Sequence, residues 1–129
     1  MSDEQVLVRV PASPELVRVL RAVASGVAAR TAMSFDAVEE VRIAVDEAAT
    51  ALLGLPVAQG AILELVLEPL DHGLRARIAV RPAPTAGDPD RVRATWSWRV
   101  LTGLCQDVAF DARDAAIAFT RRDGGGDGA

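Results

Sequence analysis

The chain predicts a mixed α/β (α+β) two-layer sandwich, in which a mostly antiparallel sheet is covered on one face by about three helices. Three observations carry this expectation. Apolar residues recur at three- and four-residue spacing in three stretches, as an amphipathic helix requires. Short runs of alternating or continuous apolar residues, suited to strands, precede and follow them. Pro and Gly cluster between the patterned segments and break the chain into the order strand, two helices, two strands, helix, two strands.

Residues 5–10 alternate, with Val6, Val8 and Val10 on one face and Leu7 and Arg9 on the other, and Pro11 ends the strand. Ser13, Pro14 and Glu15 supply an N-cap, a first-turn proline and an acid matched to the helix dipole. They open a helix through Leu16, Val17, Leu20, Val23 and Val27 to about residue 29, which Gly26 weakens slightly. A second helix spans 34–53. Ser34 caps it, Asp36, Glu39 and Glu40 load its N-terminal half with negative charge, and Val38, Val41, Val45, Ala48 and Leu52 form its apolar stripe. Gly54 and Pro56 stop it, and 54–60 is a loop. Residues 61–68 and 74–80 form a β-hairpin around Asp71, His72 and Gly73. The stretch 81–93 holds three prolines and a glycine and reads as a loop. Then come a helix over 97–106, a short strand over 107–110, a turn over 111–114 and a last strand over 115–121. Residues 1–121 are expected to form one domain, followed by a disordered Gly-rich tail over 122–129.

With 129 residues and a net charge of −4, the chain lacks the basic excess of a general nucleic-acid binder, so a protein partner is expected instead. No apolar run approaches the ~18 residues of a membrane helix, and the acidic start MSDEQ does not read as a signal peptide, so a cytoplasmic location is expected. All 14 basic residues are arginines, so ion pairs with partners would be guanidinium forks. Cys105, the single cysteine, excludes an intramolecular disulfide and a multi-cysteine metal site, and is expected to be buried in a helix. His72 has no partner at metal-ligand spacing and reads as a turn residue.

Within the second helix, Glu47 and Ala51 stand four apart and share a face. The run Ile43 to Thr50 resembles the N-box of the RsbW/SpoIIAB anti-sigma factors, members of the GHKL (Bergerat-fold, histidine-kinase-like) ATPases. The stretch Trp96 to Val108 is similar to a Ser-Trp-x-Val-Leu-Thr run of the actinobacterial UsfX/RsbW branch, and the resemblance extends from Val6 to about Arg121. It implies a Bergerat fold in which Glu47 matches the general base of a serine-protein kinase. Ala51 replaces the Asn that anchors magnesium, and a methyl cannot ligate a hard cation. The chain has no Asn anywhere.

Two further boxes of those ATPases are altered. The adenine-reading Asp-x-Gly-x-Gly falls on 79–87, where residues 73–86 hold no acid and Pro82 and Pro84 stand where glycines are expected. The phosphate-cradling Gly-x-Gly falls on Thr95 to Trp98; Gly103 with Leu104 is the other candidate remnant, placed by this count inside the helix. One of Trp96 and Trp98 is expected to cap the core and the other to pack near, and plug, the former nucleotide cleft. With magnesium anchor, adenine reader and phosphate cradle all changed, no cofactor is expected, although ATP and Mg²⁺ serve motif-complete relatives.

The resemblance implies an anti-sigma-type regulator that holds a sigma factor, is relieved by a STAS-domain anti-anti-sigma partner, and forms homodimers, here through an edge strand near Val6 to Val10. Glu15, Arg18 and Arg21, three apart on the first helix, are the partner-binding candidates, with a solvated helix face as the alternative. Glu47 is either a vestigial carboxylate or the base of a divergent kinase. A third reading is a scaffold that binds another regulatory protein, with 81–93 as its recognition segment.

Overall fold

The computed structural model describes residues 4–84 and 88–123. β1 (Val6–Pro11) leads through a 3-10 turn (Pro14–Leu16) into α1 (Val17–Ala28) and α2 (Phe35–Leu53). β2 (Ile62–Leu70) and β3 (Gly73–Arg81) form a hairpin, and α3 (Pro89–Arg93), α4 (Trp96–Leu104), β4 (Gln106–Asp111) and β5 (Ala116–Arg122) complete the fold. Every strand pair is antiparallel, and the sheet order is β1-β2-β3-β5-β4, which leaves β1 and β4 at the edges. The expected mixed architecture is thus present.

The period-two pattern decides which face is covered. Leu63, Leu65 and Leu67 of β2, Leu74, Ala76, Ile78 and Val80 of β3, and Ile117 and Phe119 of β5 are buried among the helices. The register places Leu65 opposite Ile78 and Ile78 opposite Ile117, so one apolar row crosses the centre of the sheet. The alternate residues, including Arg9, Glu64, Arg75, Arg77 and Arg81, carry the outer face. α2 lies against β3 and β5, and packs on α1 at one side and α4 at the other. That central position explains its wide buried arc, which contains Ala37, Val41, Ala44, Val45, Ala48, Ala49, Ala51 and Leu52. Alanines let the neighbouring helices approach closely.

Local chemistry sets the boundaries. The Ser34 hydroxyl accepts from the Ala37 N–H at 3.1 Å, capping α2, and its own N–H donates to Asp123 Oδ2 at 2.5 Å. Ser13 does not cap as expected. Its hydroxyl donates to Glu15, and the first turn tightens to 3-10 before α1 begins at Val17. His72 occupies the hairpin turn with φ 55°, and its carbonyl accepts from the Asp123 N–H at 2.8 Å. Pro69 extends β2 beyond its expected end because β1 pairing stops at Leu67, so its missing N–H breaks no ladder on that side.

Other differences have equally local causes. Asp88 and Pro89 act as N-cap and first residue of α3, a five-residue helix within the stretch read as a loop. Cys105 takes extended φ and ψ of −129° and 163° at the C-terminus of α4, and Gln106 already pairs with Thr120 in the sheet. Cys105 is therefore buried beside the helix rather than within it. β5 runs to Arg122, and Asp123 ties the strand end to α2 and the hairpin turn, so ordered structure passes beyond residue 121. Residues 124–129 of the expected tail lie outside the described residues.

Candidate functional site

Glu47 sits in the middle of α2 and is half-buried. It borders a shallow depression of about 370 Å³ between α1 and α2, together with Arg21, Glu39, Arg42, Ile43 and Asp46. Two carboxylates on this wall are engaged: Asp46 accepts from Arg21 at 2.8 Å, and Glu39 meets Arg42 at 3.6 Å. The Glu47 carboxylate forms no ion pair or hydrogen bond among the described residues. One helical turn on, Ala51 is only 6% exposed, so its methyl belongs to the core.

The positions where the resemblance would put the other two boxes can be followed in part. Arg81 closes β3 on the outer face, where it forks onto Asp114 at 2.9 and 3.2 Å, and Pro82 and Pro84 follow without N–H groups. Residues 85–87 lie outside the described residues. At the start of α4, Thr95 Oγ1 accepts from the Trp98 N–H at 3.1 Å while donating to the Val92 carbonyl at 2.7 Å. That hydroxyl thus occupies a helix-end donor which a phosphate would otherwise use. Gly103 lies on the exposed side of α4, within the helix as counted from the sequence. A buried methyl, two prolines and a self-capped helix end do not fit a magnesium nucleotide, whose phosphates need oxygen ligands around the metal and free N–H donors.

The first-helix trio is separated. Glu15 lies on the 3-10 turn and Arg18 on α1, both exposed, whereas Arg21 turns towards α2 and its side chain is held by Asp46. Glu15 and Arg18 are therefore open to a partner, and Arg21 ties the two helices together. The tryptophans also divide. Trp98 is half-buried against the core, as expected for one of them, but Trp96 is 72% exposed and plugs no cleft. The Arg99 guanidinium lies 5.9 Å from the Trp96 ring centroid instead.

Sequence patterns alone missed the main charged contacts. Asp114, in the β4–β5 turn, receives Arg77 at 2.6 Å and the Arg81 fork, and hydrogen bonds from these two guanidinium groups hold its carboxyl below the ordinary Asp value. Arg121 pairs with Glu40 at 2.5 Å across α2 and β5. Beside that pair, burial pushes the Cys105 thiol up to about 12, against a smaller opposing influence from Arg121. Such a thiol is neutral at physiological pH and a poor nucleophile. These contacts link residues far apart in the chain, so no local spacing announces them.

No protein-family model matches the chain. Over 47 residues it is 43% identical to the serine-protein kinase RsbW of Bacillus subtilis (strain 168). The matched stretch covers 36% of this chain and 29% of that protein, so the likeness is local. No helix among the described residues is long and apolar enough to cross a membrane.

Proposed function

We propose that this protein is an anti-sigma-factor-like regulator of the RsbW type that acts by stoichiometric binding, with little or no use of ATP. The reading rests on the pairing on α2: Glu47 lies where the resemblance puts the base of an N-box, while Ala51, at the position its magnesium-anchoring Asn would take, is a buried core methyl. The local likeness to RsbW supports the regulatory class. The antiparallel sheet with helices against one face is compatible with a Bergerat fold, and residues 1–121 are read as its single domain. In this account the partner is a sigma factor, a STAS-type antagonist relieves it, and Glu15 and Arg18 contribute to the contact. Among the described residues β1 has an unpaired edge, which in this account serves a homodimer.

With no phosphorylation step, the switch depends on differential affinity for sigma factor and antagonist. The test is retention of purified sigma factors on the immobilised protein, with and without ATP and Mg²⁺, for the native chain and for Glu47→Ala. Retention of one sigma factor, unchanged by nucleotide and by the substitution, is the expected result. Retention that needs nucleotide or the Glu47 carboxylate overturns it. The rival reading, a divergent serine-protein kinase, draws on the free Glu47 carboxylate beside its depression and predicts phosphate transfer to the antagonist.

A further inference from the structure

α3 and the start of α4 turn four side chains outwards for simple packing reasons. Val92, 2% exposed, pins α3 to the core, so its neighbours Arg91 and Arg93 lie on the surface. Ser97 and Leu101, four apart and buried, fix the inner face of α4 and leave Trp96 and Arg99 on the outer one. Two backbone residues join the helices, and the Thr95 N–H and hydroxyl both donate to the Val92 carbonyl, which holds the junction tightly. The result is a short ridge with three arginines and an indole within nine positions.

These groups are unsatisfied in a way most of their counterparts are not. Seven of the 14 arginines meet a carboxylate among the described residues, but Arg91, Arg93 and Arg99 do not. Asp88 and Asp90 are close in sequence yet form no ion pair with them, the Asp88 carboxylate accepting the Asp90 N–H at 3.0 Å. Trp96 at 72% exposure places a large apolar ring in water, which burial by a partner would relieve. Arg99 beside the ring adds a cation–π contact that strengthens on desolvation.

We infer that the Arg91–Arg93–Trp96–Arg99 ridge docks a protein segment that is acidic and carries an apolar or aromatic side chain. The arginine forks match carboxylates, and Trp and Arg are the side chains that most often dominate protein contacts. A nucleic acid fits less well, because it needs a longer basic track and the ridge is bounded by Asp88 and Asp90 on a protein of net charge −4. The ridge involves neither Glu47 nor the α1 residues, so it stands or falls separately from the proposed function.

The test titrates the full chain with a short fluorescein-labelled peptide of alternating Glu and Leu around a central Phe, read by anisotropy at low and moderate salt. Saturable binding that weakens with salt is expected. Trp96→Ala and the double substitution Arg91→Ala with Arg93→Ala should each lower affinity at least about tenfold, while melting temperatures stay unchanged. Arg75→Ala, on the outer face of the sheet, should leave the affinity as it was. Absence of saturable binding, equal affinity in the ridge variants, or tighter binding of a single-stranded oligonucleotide than of the peptide overturns the inference.

Discussion

On the outer face of the sheet, Arg9, Arg75, Arg77 and Arg81 each lie 3.0 Å or less from a carboxylate oxygen, whereas Arg91, Arg93 and Arg99 on α3 and α4 have no such partner among the described residues. The same side chain therefore does two jobs. In the first region the strand register sets the pairs: Arg9 lies opposite Glu64 and Arg75 opposite Glu68, so folding itself brings opposite charges together. In the second, two short helices pinned by Val92, Ser97 and Leu101 bring the guanidinium groups to no carboxylate among the described residues. Charge neutralised within the fold contributes to stability, and charge left in water is available to a partner.

The strongest way to break this division is to remove what holds the ridge in place. Leu101→Ala deletes a fully buried side chain of α4, and should lower the unfolding free energy in urea by about 3 kcal/mol. A loss below about 1 kcal/mol would show that α4 is not anchored as described.

A smaller effect is expected from the sheet face. Asp114→Asn removes the charge that Arg77 and Arg81 share, at a cost of about 1 kcal/mol near neutral pH, since the network is partly exposed. The sign with pH follows from the lowered carboxyl. A group with a depressed folded value contributes above its unfolded value, about 3.9, and loses that contribution as pH falls through the folded value. The stability gap between native chain and variant should hold from neutral pH to about pH 5 and close below about pH 4. A gap that widens on acidification would contradict the assignment.

The smallest stability effect belongs to the ridge itself. Arg91→Ala and Arg93→Ala should each change stability by less than about 0.5 kcal/mol, because neither side chain meets a carboxylate among the described residues. A loss as large as that of Asp114→Asn would erase the distinction between the two regions. At the C-terminal end of α4, Cys105 provides a further check on packing. Its thiol, raised to about 12, should resist an aromatic disulfide reagent at pH 8 and react fully only on unfolding. Prompt labelling of the folded protein would mean that the α4–β4 junction opens readily.

Much of the scaffold was legible because local chemistry marked it. Ser34 and Gly54 bracket α2, the alternation in β1 survives as its buried and exposed faces, and Asp71 with His72 forms the hairpin turn. α3 was obscured because prolines suggested a loop, although Asp88 followed by Pro89 is also a helix-start signature. The end of α4 depended on pairing with β5, a contact between distant positions that a local window does not contain. Glu47 and Ala51 could be singled out by spacing, but the burial of Ala51 depends on α2 lying between the sheet and two helices. For the trio on α1, spacing put Arg21 beside Arg18, and only the packing of α2 showed that Asp46 holds it.

The central claim concerns nucleotide, and calorimetric titration of the purified chain with ATP and Mg²⁺, carried to concentrations on the order of millimolar, tests it most directly. The account predicts no saturable heat and no rise in melting temperature at the highest concentration. Saturable, magnesium-dependent binding accompanied by thermal stabilisation would contradict it, and would return Glu47 to the role of catalytic base.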